Sequence, residues 1–309
     1  MWFKQLQVFH LSNQVPTSPE KLMEQLQALA FTPCPPSMPF SMGFVSPVDE
    51  EGASLVRTFN GRMMFCLQIE DKILPASVVR QELKEKIKKM EQAEDRRLRQ
   101  SEKNTYKDEL YMTLLPRAFS RFTRLYAYID TAKKWLVVST TNVKKYEQFI
   151  SMLVKATQLE VSPVSVLDLS HKMTRWLKNQ DYPAHFSVET SGVLMDPDQV
   201  SRVIRCQHQD LFAPGIQTLI GDGCEVTQLG LCWQDRISFV LQDNFTLRSL
   251  KCQEELVAQM NEMEAETKQQ RFDADFIIMS ETFSQLLTDL LTCLCAEETS
   301  LPVNRMSAA

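Results

Sequence analysis

Asn60-Gly61 limits the fold of this chain more than any other pair of residues. Asn-Gly readily adopts the two positive φ angles of a type I′ turn, and it sits between Leu55 to Phe59 and Met63 to Ile69, so those runs must pair as an antiparallel hairpin. A second hairpin is predicted from Phe122 to Ile129 and Trp135 to Ser139, across Asp130-Thr131-Ala132-Lys133-Lys134. On its first strand Phe122, Arg124, Tyr126 and Tyr128 share one face, opposite Arg121, Thr123, Leu125, Ala127 and Ile129. The two tyrosines are expected in the core or an interface rather than stacking on bases.

Around these hairpins strands and helices alternate. Trp2 to Leu11 reads as a strand, and Ser18-Pro19-Glu20 supplies a cap, a first-turn proline and an acidic start for a helix through Ala30. Five prolines between Phe31 and Pro47 predict an irregular connection. Ala76 to about Asn104 reads as one long helix with the stripe Val79, Leu83, Ile87, Met90, followed by a short helix from Lys107 to Leu115 and a helix from Asn142 to Ala156. Further strands are predicted at Phe186 to Val193, Val203 to Gln207, Glu225 to Trp233, Arg236 to Gln242, Phe245 to Ser249 and Asp275 to Met279. Helices are predicted at Leu167 to Lys178, Glu254 to Gln270 and Glu281 to Cys295. The fold class is mixed α+β, antiparallel hairpins with packed helices. The expected organisation is a body from 1–75 and 160–309, with 76–159 projecting from it.

Charge divides the chain. The formal net charge is -5, yet Lys72 to Lys145 holds 18 Lys or Arg against 9 Asp or Glu, a balance of +9, and the remainder carries -14. A basic stretch of this kind suits a polyanion. Beyond Met90 the apolar stripe stops: through Lys103 Leu98 is the one large apolar residue, while Arg96, Arg97, Arg99 and Lys103 accumulate. Of these, Arg97 and Lys103 have no carboxylate at helical spacing. Lys84, Lys86, Lys88 and Lys89 have Glu82 and Glu85 nearby, so a solvated helix face explains them as well as a polyanion does. Lys144 and Lys145 begin a helix, where cations oppose the dipole unless an anion is near.

Enzyme signatures are scarce. With 8 glycines the chain has neither phosphate-cradling glycine motif, and its 8 cysteines and 4 histidines show no metal-ligand spacing. No metal or other cofactor is expected. Asp273 and Asp275, alternating within Arg271-Phe272-Asp273-Ala274-Asp275-Phe276, would share a strand face and could hold Mg²⁺; pairing with Arg271 or capping a turn is the simpler reading. No apolar run is long enough to cross a bilayer and Met1-Trp2-Phe3-Lys4 lacks a signal layout, so a cytoplasmic protein with no membrane partner is expected.

Leu114-Leu115-Pro116-Arg117-Ala118-Phe119-Ser120-Arg121-Phe122 resembles the signature of the bacterial recombination-associated RdgC family. Trp2-Phe3-Lys4, Phe31-Thr32-Pro33-Cys34, Lys72-Ile73-Leu74-Pro75, Ile129-Asp130-Thr131, Gln209-Asp210-Leu211 and the Arg271 to Phe276 run match co-linearly. The tail from Ala296 matches poorly, and Arg202 to His208 carries fewer lysines than the family pattern. The resemblance implies a horseshoe-shaped subunit and a ring homodimer. It also implies binding of double- and single-stranded DNA without sequence specificity, restriction of RecA access to DNA, nucleoid association and no catalysis. On that reading the DNA contacts are Lys84, Lys88, Lys89, Arg96, Arg97, Arg99, Lys103, Arg117, Arg121, Arg124, Lys133, Lys134, Lys144 and Lys145, with Leu114, Leu115, Phe119 and Phe122 near a subunit contact. A protein-interaction module binding an acidic partner and a Mg²⁺-dependent nuclease are the competing classes.

Overall fold

The computed structural model describes residues 2–12, 15, 18–48, 52–199, 201–254, 256–258 and 267–296. In chain order the elements are β1 (Leu6–Leu11), α1 (Pro19–Gln27), β2 (Phe40–Val45), β3 (Arg57–Phe59), β4 (Arg62–Ile73), α2 (Ala76–Ala93) and α3 (Gln100–Leu114). After a 3-10 turn (Leu115–Arg117) come β5 (Phe119–Asp130), β6 (Trp135–Val138), α4 (Val143–Thr157), β7 (Val161–Pro163) and α5 (Leu169–Asn179). They are followed by β8 (Phe186–Met195), β9 (Val203–Gln207), α6 (Pro214–Gly221), β10 (Glu225–Trp233), β11 (Ile237–Gln242), β12 (Thr246–Cys252) and α7 (Lys268–Ala296).

All the strands join one sheet, ordered β2-β4-β5-β6-β1-β12-β11-β10-β8-β9, with β3 on β4 and β7 on β1. The pairings are antiparallel, as the hairpins require. Asn60 and Gly61 take φ of 47° and 75°, the positive pair expected of the turn.

Alternation along each strand separates two cores on opposite faces. Phe9, Phe65, Leu67, Leu125, Ile129 and Val138 pack with Leu22, Leu26, Phe149 and Leu153, so α1 and α4 cover one face of the strands from the first half. The second core joins Leu6, Val8 and Tyr128 to Leu229, Leu231, Trp233, Leu241 and Leu247 beneath α5, α6 and α7. Near the middle of the sheet Trp2 and Phe3 pack on Phe283, with ring centroids 5.6 and 6.3 Å apart. α1 and α4 therefore cover one face of the first half and α5 to α7 the opposite face across both halves, and among the described residues no helix packs on the α1/α4 side of β8 to β11.

Several expectations are corrected. The predicted long helix breaks: α2 ends at Ala93, Asp95 takes φ of 48°, and α3 runs back along α2. Leu98, 5% exposed, plugs the turn, and its N–H donates to Glu91 Oε1 at 3.0 Å. The predicted strand Asp275 to Met279 lies inside α7. Phe272 and Phe276 fit period two over five residues, but they also begin the helical series Phe276, Met279, Phe283, Leu286, Leu287, Leu290, Leu294, which is buried throughout. The proline-rich connection contains β2, an edge strand flanked by Pro39 and Pro47. Gly43 is needed there, because a Cβ would overlap the Phe31 backbone. The predicted helix Glu254 to Gln270 falls partly outside the described residues, and α6 and β7 were not anticipated.

Candidate nucleic-acid interface

The face of β8 to β12 opposite α5 to α7 carries no core cluster among the described residues, and register places its side chains. Arg248 pairs with Val240 and Val240 with Gly230, while Gln242 pairs with Gln228, Gln228 with Val193 and Val193 with Arg205. Ser191 pairs with Gln207 and lies over Gly230, where a Cβ would collide with its hydroxyl. These residues line an open recess of about 370 Å³. Arg205, Gln207 and Arg248 are exposed. Four inter-strand steps separate Arg248 from Arg205, about 19 Å at ~4.8 Å each. Lys251, beside Ser238, extends the cationic edge, and Glu189 faces the same side next to Gly230.

One wall of this surface is the start of α4. Arg248 Nε donates to Thr141 Oγ1 at 3.0 Å, and Thr141 Oγ1 donates to Gln5 Oε1 at 2.9 Å. Asn142 caps α4 by accepting from the Lys145 N–H at 3.1 Å. Lys144 and Lys145, unfavourable against the helix dipole, thus follow directly on the residue that anchors Arg248. Arg205 lies in the lysine-poor Arg202 to His208 run already noted in the sequence, whereas Arg248 and Lys251, both in β12, were missed. Strict alternation hides them, because buried Leu247 and Leu250 are three residues apart and share the core side only through the irregularity at Ser249, whose φ is 53°.

The cations of the α2-α3 hairpin are more fully paired than the sequence suggested. Arg96 donates to both oxygens of Glu102 at 2.7 and 3.0 Å and meets Glu94 at 2.7 Å. Lys103 lies 3.2 Å from Glu91, because the reversal at Asp95 brings the two helices together; the expectation that it has no carboxylate is corrected. Lys86 pairs with Glu109 at 3.1 Å. The Arg96 hydrogen bonds, then the Arg99 amide, hold the Glu102 carboxyl down at about 2, and the Leu98 amide lowers that of Glu91. Lys84, Lys88, Lys89, Arg97 and Arg99 are exposed and make no ion pair within 4.0 Å among the described residues.

At the far end of β4 and β5, Arg117 is exposed, Arg121 pairs with Asp71 at 3.4 Å, and Arg124 Nε donates to Gln68 at 3.1 Å. Glu70, 5% exposed, accepts from Ser120 Oγ at 2.6 Å and from the Cys34 N–H at 2.7 Å, with Lys72 at 3.8 Å. The Ser120 bond first, then the Cys34 amide, depresses its pKa. This network fixes the strand ends that display Phe119 and Phe122, which are 86% and 58% exposed on opposite faces. Leu115 is fully buried in its own chain and Leu114 is half-buried, so those two support the strand end rather than present a surface. Lys133 and Lys134 sit on the exposed β5-β6 turn, Lys133 Nζ 5.9 Å from the Trp135 ring centroid.

The aspartate pair does not converge. On a helix, residues two apart point about 200° from each other. Asp273 lies 3.6 Å from Arg57 and Asp275 lies 3.7 Å from Arg271. No group of three or more His, Cys, Asp or Glu placed to hold a metal occurs among the described residues.

A family model described as "Putative exonuclease, RdgC" matches residues 1–297. The chain belongs to the RdgC family. The recombination-associated protein RdgC of Yersinia pestis (strain Pestoides F) is 37% identical over 299 residues, covering 96% of this chain and 99% of that protein. That of Yersinia enterocolitica serotype O:8 is 36% identical over the same length. The match to RdgC proteins spans both halves of the sheet, including the bare face of the second half and the Phe119 end of the first. No helix among the described residues is long and apolar enough to cross a membrane.

Proposed function

We propose that the chain binds DNA without sequence preference and closes as a ring homodimer around a duplex, also taking single strands, so that RecA gains less access to the DNA. The observation that carries this reading is the uncovered face of β8 to β12. Arg205 shares a row with Val193, Gln228 and Gln242, Arg248 shares one with Val240 and Gly230, and Thr141 ties Arg248 to the turn that leads into Lys144 and Lys145. Guanidinium and amide groups on a rigid sheet contact phosphate and sugar oxygens at any sequence, and each neutralised phosphate releases counterions. The exposed cations of the α2-α3 hairpin and of β5 extend the same attraction. Phe119 and Phe122, too exposed for an unpartnered end of a sheet, supply a subunit contact.

The chain acts on this reading as a nucleoid-associated cytoplasmic protein without catalysis. The test is fluorescence anisotropy with a random 30-base-pair duplex and a single strand of equal length, alongside the mass in solution and a comparison of circular with short linear duplex. Binding that falls steeply with salt, a dimeric mass and a preference for circles are expected. A salt slope near zero refutes the phosphate account, a monomer at micromolar concentration refutes the ring, and Mg²⁺-dependent nicking of plasmid refutes the absence of catalysis. A protein-interaction module without DNA affinity gives no shift with either probe.

A further inference from the structure

The α2-α3 hairpin is short of a core. Val79 is the buried side chain of α2 and none of α3 is buried, while Leu83, Ile87, Leu110 and Tyr111 remain half-covered. Between the helices runs a cleft of about 490 Å³ with a floor of Leu74, Val79, Leu83, Ile87 and Tyr111. Every charged residue that lines it is a cation: Arg80, Lys103 and Lys107. Lys103 is neutralised by Glu91, whereas Arg80 and Lys107 are exposed and have no carboxylate within 4.0 Å among the described residues.

We infer that this cleft seats an amphipathic, acidic helix of a partner protein. The span from Ala76 to Ile87 is about 18 Å at ~1.5 Å per residue, room for three turns, and a third helix would complete the packing that two helices leave open. An apolar floor has nothing to offer phosphates, so DNA does not account for it. Nor does the exposed Phe119 of a second copy. Arg117, exposed two residues before it, would be set against Arg80 and Lys107 on insertion, while Arg121 is engaged by Asp71. A helix with leucines on one side and glutamates along its borders meets both floor and rim. The inference does not rest on DNA binding, and its test uses no DNA.

The probe is a fluorescein-labelled peptide of about 16 residues with Leu at i, i+3, i+4 and i+7 and Glu elsewhere, titrated with the full chain. Two further peptides carry Lys in place of Glu, or the same composition with the leucines scattered around the helix. The glutamate peptide is expected to bind with a Kd of about 10 μM, and the other two at least about tenfold more weakly. Leu83→Asp should abolish binding. In case that variant unfolds the hairpin, the exposed double variant Arg80→Glu/Lys107→Glu provides the independent reading. It should lose the glutamate peptide by about tenfold and gain the lysine peptide. Equal binding of both charge types, no preference for the amphipathic arrangement, or no reversal in the double variant overturns the inference. So does a wild-type chain that ignores the peptide while Leu83→Asp lowers its mass in solution, because a second copy then fills the cleft.

Discussion

Replacing Arg248 with Ala tests the sheet face against the hairpin as the place where phosphate is neutralised. The guanidinium is anchored through Nε to Thr141, and the residue is exposed, so its removal should change stability by no more than about 0.5 kcal/mol. Each phosphate left without its cation lowers the slope of log affinity against log salt by ~0.9, so a dimer that loses one per chain loses ~1.8, which near 0.1 M salt is about 60-fold, or ~2.4 kcal/mol. Arg205→Ala should do the same, and the two together should double the slope change, because the residues lie about 19 Å apart and share no partner. Arg96→Ala is the control. Its charge is already engaged by Glu94 and Glu102 at 2.7 Å each, so it should leave the slope unchanged. The assay is anisotropy of a random 30-base-pair duplex between about 50 and 200 mM KCl. If Arg96→Ala flattens the slope as much as Arg248→Ala, or if Arg248→Ala leaves it intact, the assignment to the sheet face is wrong.

Three other outcomes follow from the packing. The Glu102 carboxyl, held at about 2 against an ordinary 4.5, adds stability to the hairpin above pH 4.5, and that contribution fades as pH falls toward about 2; a carboxyl NMR titration with its midpoint near 4.5 would refute the Arg96 clamp. Phe283→Ala should cost ~3–5 kcal/mol in urea unfolding, since it removes a fully buried ring packed against Trp2 and Phe3; a change under about 1 kcal/mol would contradict the placement of α7. Lys172 is 9% exposed and donates to the Leu294 carbonyl at 2.8 Å, closing the end of α7. Lys172→Met should cost ~1–2 kcal/mol, and faster amide exchange over 290–296 is its local signature; unchanged exchange there would count against the cap.

The hairpins, their register and most helices were legible because alternation and turn chemistry are local. The face assignment of Phe122, Arg124, Tyr126 and Tyr128 holds in β5, where Tyr128 is buried. The break in the long helix was not legible, because neither Gly nor Pro marks it; Asp95 in a left-handed conformation and Leu98 as a plug act only once α3 has folded back. The strand predicted around Asp275 failed for a different reason: five residues fit both periods, and only the buried series onward to Leu294 decides. The balance of +9 over Lys72 to Lys145 already counts Glu91, Glu94 and Glu102, but their return to Lys103 and Arg96 across a turn, which decides which cations stay available, is not encoded in sequence spacing. Conversely, the local excess of two cations around Arg205 and in β12 is too small to stand out in the sequence, and the placement of the helices is what leaves Arg205 and Arg248 uncovered.

The two halves of the sheet meet at a narrow seam. Leu6 pairs with Leu247 and Gln7 with Thr246, and the Leu250 N–H reaches the Lys4 carbonyl at 2.9 Å. One core, beneath α1 and α4, belongs to the first half, while the other runs under both halves, where Phe276 and Phe283 of α7 join Tyr128 and Val137 to Leu229 and Leu241. α7 therefore acts as a splint laid along one side of the seam, and the two halves keep their mutual angle only while its apolar row stays seated.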